Sequence, residues 1–216
     1  MNITITLVII VITCLVSVPA FYNQNIKNEL IFYPPAISEQ NQWYRFITCG
    51  LIHADVPHLF FNMYTLYMFG DSVEGGFIGI FGTEGKLLYI LMYVTALVAC
   101  LLPTYFKHKD NPYYSSLGAS GAIAAVVFAF IFLNPSVSMY LLFLPIPLPA
   151  FIFGVLYLVI TSYLARRGGS GINHSAHLWG SLYGVFFLLI TGFTIAQRNL
   201  VGEFWTEVTR YFQSFG

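Results

Sequence analysis

Six apolar runs, at roughly 3–21, 57–81, 86–106, 118–133, 141–165 and 177–196, take up most of the sequence, and each reads as a membrane span. Inside hydrocarbon every backbone N–H and C=O must find a partner within the protein, so runs of this length are expected to be helices. The composition agrees. The chain is 57% hydrophobic and 8% charged, with a mean hydropathy of +0.73, outside the range of an ordinary soluble domain. The expected fold class is therefore all-α and polytopic, a six-helix membrane bundle with both termini on one side. Nine Lys and Arg balance nine Asp and Glu, leaving neither a basic surface for nucleic acid nor an acidic tail. Cys14, Cys49 and Cys100 are an odd number and suit small buried side chains better than a disulfide framework.

The first run ends in VPA, similar to a signal-peptide cleavage site, but lacks a basic leading segment and is read as a retained span. No linker or repeat divides the chain, so residues 1–216 are treated as one domain. The connection 22–54 is rich in aromatics and carries Pro34 and Pro35, too apolar for a wholly solvated loop. At the other end, 198–216 spaces Val201, Phe204, Trp205, Val208 and Phe212 helically opposite Glu203, Glu207 and Arg210, the pattern of an interfacial helix. The fourth run is short: from 118 to 133 a helix rising ~1.5 Å per residue reaches only about 24 Å. The polar stretch KHKDNPYYSSL before it cannot enter lipid but can line a water-filled cavity. That places Ser120 near a cavity floor.

Four of the five histidines fall in two groups, His53 with His58 in HADVPHLFFN and His174 with His177 in HSAHLWGSLYG. Ionisable groups at membrane depth are costly, so such residues are functional candidates. His58 and Asn62, four apart, share a helix face. Gly180 and Gly184 follow His177, while Gly118, Gly121 and Ala122 surround Ser120, so two helices with small surfaces can approach closely and bring Ser120 to His177. A serine hydroxyl needs a base to become a nucleophile, and a neutral imidazole is one. An acyl-transfer intermediate also needs oxyanion donors, which the first-turn N–H groups at Ser120, together with His58 and Asn62, are suited to supply. No Asp or Glu lies in the fourth or sixth run, so the site reads as a dyad.

These residues resemble the rhomboid intramembrane serine proteases. GASG (118–121) is similar to the family's G-x-S-G motif, AHLWGSLYG (176–184) to its A-H-x-x-G-x-x-x-G motif, and HADVPHLFFN to its H-x4-H-x3-N arrangement. The resemblance implies Ser120 as nucleophile and His177 as general base. It further implies His58, Asn62 and the Ser120 amide as oxyanion stabilisers, and Phe61 as a substrate gate. It also implies a first loop embedded in the membrane, transmembrane proteins as substrates, and no metal or organic cofactor. WYRF (43–46) is similar to the family's Trp-Arg loop motif, with Tyr44 where Trp is usual. The family often has an aromatic four residues after the serine, stacked on the histidine, where this chain has Ala124. Presumed site-side loops hold six Lys and Arg against three opposite, which by the positive-inside rule turns the site to the cytoplasm. The resemblance implies the outward orientation and is followed here.

Two other classes are carried. A rhomboid-like pseudoprotease would bind transmembrane helices without cutting them, and a haem or metal protein would use His53, His58, His174 and His177. Gly168, Gly169 and Gly171 make the 166–176 loop a deformable lid over a lateral entry between the second and fifth spans.

Overall fold

The structure, a computed structural model, describes residues 3–141, 144–168 and 171–214. Within them lie eleven α-helices and one hairpin. In chain order these are α1 (Ile5–Tyr22), α2 (Gln24–Leu30), α3 (Pro34–Gln40), α4 (Arg45–Thr48), α5 (Val56–Phe81), α6 (Gly85–Ala99), α7 (Leu102–His108) and α8 (Ser120–Leu133). The strands β1 (Ser138–Leu141) and β2 (Leu144–Pro149) come next, followed by α9 (Ala150–Arg167), α10 (His174–Thr194) and α11 (Leu200–Gln213). Among the described residues four apolar stretches are long enough to cross a membrane: Ile5–Tyr22, Val56–His108, Ala150–Arg167 and His174–Thr194. The chain is an integral, multi-pass membrane protein.

α8 is the axis of the bundle. It is apolar on all sides, and such a helix must be enclosed; accordingly Gly121 to Val126, Phe128, Ala129 and Ile131 are all buried. α5, α6, α9 and α10 pack around it. The main core joins Leu66, Val73 and Phe77 of α5, Tyr89, Met92 and Ala96 of α6, Ala122, Ala125 and Val126 of α8, and Leu188 of α10. α9 is far less embedded, with only Ala150, Gly154 and Thr161 buried.

The helix ends are set locally. Asp55 Oδ1 accepts from the His58 N–H at 2.8 Å to cap α5, with Pro57 in the first turn. Asn173 Oδ1 accepts from the Ala176 N–H at 3.1 Å to start α10. Gly82 ends α5 at φ +60, and at Gly85 a Cβ would sit 2.5 Å from the Ile78 backbone, so only glycine lets α6 return against α5.

Residues 24–51 fold into α2, α3, α4 and a single 3-10 turn (Cys49–Leu51) rather than an open loop. Arg45 is their tie. Its Nη1 donates to the carbonyls of Asn28 and Ile31, both at 2.8 Å, and its Nε to Gln42 Oε1 at 2.6 Å. Phe32, Ile37, Phe46 and Cys49 pack below it on Cys100, Leu101, Tyr105 and Ala176. Phe32 and Ser116 exchange backbone hydrogen bonds at 3.0 Å, fastening this layer to the segment that precedes α8.

Two expectations are corrected. The fifth run does not start as a helix at 141: 144–149 is a strand paired antiparallel with 138–141, and α9 begins at Ala150. Alternate prolines, Pro145, Pro147 and Pro149, remove backbone donors and hold the chain extended. The third run breaks at Cys100–Leu101 into α6 and α7, with Pro103 in the first turn of α7. In the C-terminal segment α11 is helical, with Val208 buried, Phe204 stacked on Phe132 at 4.7 Å, and Val201, Trp205 and Phe212 exposed.

Glu74, inside α5 and 2% exposed, anchors the first helix. Its Oε2 accepts from the N–H of Thr6 at 3.1 Å and from Thr6 Oγ1 at 3.3 Å. The Thr6 N–H belongs to the first turn of α1, where no intrahelical acceptor exists. Because the Thr6 hydroxyl gives its one proton to Glu74, the Tyr89 hydroxyl donates to Thr6 Oγ1 at 3.0 Å. Glu74→Ala therefore leaves the buried Thr6 N–H without its acceptor and lowers stability by about 1–3 kcal/mol. Thermal or denaturant unfolding in detergent measures it, with Leu87→Ala on the exposed face of α6 as the neutral control.

Candidate active site

The site is made where α8 and α10 touch. A Cβ on Gly180 would fall inside the van der Waals shell of the Gly121 carbonyl, and one on Gly184 inside that of Ala125. No larger residue permits this separation. At Gly121 itself a Cβ would lie 2.5 Å from Cys100 Sγ. Lipid gives helices no hydrophobic reason to associate, so close backbone packing must supply the attraction. As a consequence Ser120 Oγ, on the first residue of α8, lies 2.7 Å from Nε2 of His177, one turn into α10. His174 is the first residue of α10, its ring centroid 6.0 Å from that of His177. Ala124 is buried in α8 and offers His177 no aromatic face. Among the described residues no carboxylate hydrogen-bonds the His177 ring.

Beside Ser120, Gly118 adopts φ +113, a conformation reserved for glycine, and its N–H donates to the Cys49 carbonyl at 2.9 Å. A Cβ here would meet His58 Cε1 at 2.8 Å and Nε2 at 2.9 Å, so the His58 imidazole edge lies directly against the segment entering α8. The Ala54 N–H donates to His58 Nδ1 at 3.4 Å. That bond leaves the ring proton on Nε2, the atom facing Gly118. Asn62 is buried, and its Nδ2 gives one N–H to the His58 carbonyl at 3.0 Å, keeping the second. Phe61 is 51% exposed and packs edge-on to Phe60, on the outer side of α5.

Space around the pair is graded. A void of about 20 Å³ touches Ser120, Gly118, Cys100 and Asn173, room for about one water. A cavity of 510 Å³ lined by Ser116, Lys107, Arg166, Asn173 and His174 opens outward. Between α9 and α10 an apolar cavity of 230 Å³, lined by Tyr157, Ile160, Thr161 and Leu164, reaches His174 and His177. A cleft of 810 Å³ lies between α11 and residues 132–137, at the far end of α8 from Ser120.

Among the described residues no three His, Cys, Asp or Glu side chains converge on one point. Cys49 is buried, which pushes its thiol up to about 12 and leaves it unreactive. In the 166–176 loop Gly168 and Gly171 have φ +66 and +70; Gly169 lies outside the described residues.

A family model described as the Rhomboid domain matches residues 40–193. The chain belongs to the rhomboid family. It is similar to "RHOMBOID-like protein 12, mitochondrial" of Arabidopsis thaliana, 32% identical over 143 residues, 62% of this chain and 42% of that protein. It is 30% identical over 151 residues to "Putative rhomboid protease YdcA" of Bacillus subtilis, covering 68% of this chain and 66% of that protein. With "Presenilin-associated rhomboid-like protein, mitochondrial" of Homo sapiens it shares 29% identity over 163 residues, 72% of this chain and 40% of that protein. The matched part thus spans about two fifths of the plant and human relatives.

Sequence reasoning passed over Ser17, whose hydroxyl bonds His53 and the Leu51 carbonyl, and Asn173, which also bonds Thr104. Asn173 had a readable signal as an N-cap residue just before an apolar helix. Ser17, in the middle of an apolar run, had none. His53 is 1% exposed. Burial, then the neighbouring His58, holds its imidazole down to about 3, against an ordinary 6.5. Between those values the unfolded chain binds a proton that the folded one does not, so stability rises with pH across that window. The thermal midpoint is therefore expected to fall as pH drops below about 6.5, and to fall less steeply in His53→Gln, by differential scanning fluorimetry in detergent.

Proposed function

We propose that this protein is an intramembrane serine protease that cleaves peptide bonds in or near transmembrane segments of other membrane proteins through a Ser120–His177 dyad. The 2.7 Å contact between Ser120 Oγ and His177 Nε2, beside an outward-opening cavity, is the observation that carries this reading. His177 Nε2 takes the Ser120 proton as Oγ adds to the substrate carbonyl carbon. The resulting oxyanion is met by the Ser120 N–H at the helix start and by Nε2–H of His58, with the spare N–H of Asn62 as a third donor once its side chain turns. The protonated His177 gives its proton to the leaving amine as the C–N bond breaks, leaving an acyl-enzyme. A water, deprotonated by the same imidazole, hydrolyses it and restores Ser120.

In this reading α1, α5, α6 with α7, α8, α9 and α10 are six membrane crossings, and residues 24–51 form a loop embedded in one leaflet. The short α8 is consistent with a site recessed below the headgroups. Substrate enters sideways past α9: its few buried residues and the apolar cavity reaching His177 favour that wall, and Phe61 on α5 flanks the entrance. A cross-link joining α5 to α9 should stop turnover of a membrane-inserted substrate; unchanged turnover would reject the route.

A non-cleaving helix binder is the second reading, favoured by the missing ring at Ala124. Purified protein in liposomes with a model single-span substrate decides between them. Ser120→Ala should abolish cleavage. His58→Ala should reduce kcat by about 10²- to 10³-fold, as loss of one oxyanion donor does elsewhere. Cleavage that survives in Ser120→Ala would reject the assigned nucleophile.

A further inference from the structure

His53 stands outside the proposed dyad, yet its surroundings are specific. The Ser17 hydroxyl, from α1, donates its single proton to the Leu51 carbonyl at 2.8 Å. Its oxygen therefore accepts from His53 Nδ1 at 2.9 Å, which fixes the proton of that ring on Nδ1. The other nitrogen, Nε2, is then a lone-pair acceptor, and it is one of two buried side-chain atoms without a hydrogen-bond partner among the described residues. A buried acceptor left open costs free energy, so its retention calls for an explanation. Its place supplies one. Cδ2, the ring carbon bonded to Nε2, lies 3.9 Å from where a Gly118 Cβ would be, on the turn that enters α8. The ring meets His58 nearly perpendicular, at 78° and 4.9 Å between centroids.

The backbone closes the arrangement. The Ala54 N–H, next in sequence to His53, holds His58 Nδ1, and the Cys49 carbonyl holds the Gly118 N–H. Each contact that orients His58 thus passes through the segment that Ser17 pins from α1.

We infer that His53 is a positioning residue for His58: Ser17 locks the His53 tautomer and ring plane, and the His53 ring together with the Ala54 N–H aims His58 Nε2–H at the Gly118–Ser120 turn. This rests on the protease reading for its effect on rate, and on geometry alone for the orientation of His58. A donor held in place before reaction lowers the barrier without altering ground-state binding. The first helix, through one hydroxyl, thereby bears on the reaction rate from outside the Ser120–His177 pair.

The test is a pair of double-mutant cycles on the purified full chain in liposomes. Ser17→Ala and His53→Ala are each made alone and on a His58→Ala background. Acting through His58, each lowers kcat by about tenfold alone, leaves KM unchanged, and costs nothing further when His58 is already gone. An equal loss on both backgrounds, or a loss confined to KM, would overturn the inference. Ser17→Ala removes a single hydroxyl and carries the cycle if His53→Ala does not fold. Ring ¹⁵N spectra of histidine-labelled protein give a readout independent of turnover. In wild type His58 shows one tautomer, protonated on Nε2; in Ser17→Ala it shows a mixture, and unaltered His58 signals would refute the link. If the wild type does not cleave at all, the protease reading falls, while these spectra still decide whether Ser17 and His53 hold His58.

Discussion

The contact of α8 with α10 is made backbone to backbone, with Gly180 on the Gly121 carbonyl and Gly184 on that of Ala125. The rest of the site depends on it. One neutral hydrogen bond contributes about 1 kcal/mol net, too little to fix the spacing of two helices in lipid. Dispersion summed over many close atom pairs is large enough. The Ser120–His177 hydrogen bond is therefore a result of the packing rather than its cause. It also explains how an imidazole is held without a carboxylate or a stacked ring: His177 rides on a helix whose distance from its partner cannot relax.

Polar groups inside the bundle serve a second purpose. Several of the buried ones are paired across elements, and an unpaired member is costly at this depth. Glu74 ties α5 to Thr6 of α1, and Tyr89 brings in α6. Arg45 gathers α2 and the turn after it onto α4. Ser17 joins α1 to the segment that carries His53. These ties lie on the α1, α5 and α6 side, whereas α9 is held by few buried residues. The molecule thus combines a braced wall carrying the proposed oxyanion donors with a loosely seated helix on the opposite flank. That asymmetry suits a site that must keep its donors fixed and still admit a helix from the bilayer.

The long apolar helices were legible because lipid forces helices. The expected run 57–81 and the observed α5 differ by one residue, and the short fourth run appears as the 14-residue α8. Where hydropathy alone was followed, it misled: the residues at 141–149 are as apolar as a span, but their alternate prolines dictate a strand. The pairing of Ser120 with His177 was legible from small residues placed around each. His58 lies at the site as its spacing indicated, while Asn62 has one N–H engaged within its own helix, which spacing cannot reveal. Glu74 was overlooked although a carboxyl in an apolar run is a signal in itself. Ser17 and the tautomer it imposes on His53 are tertiary facts, created by residues 36 apart in sequence, and no local pattern carries them.

The central claim is that His177 activates Ser120 and no other hydroxyl. Mass-spectrometric mapping of a fluorophosphonate adduct on the purified protein tests it most directly. The account predicts one adduct, on the peptide containing Ser120, and none when His177 is replaced by alanine. An adduct on a different residue, or wild-type labelling without the imidazole, would contradict it.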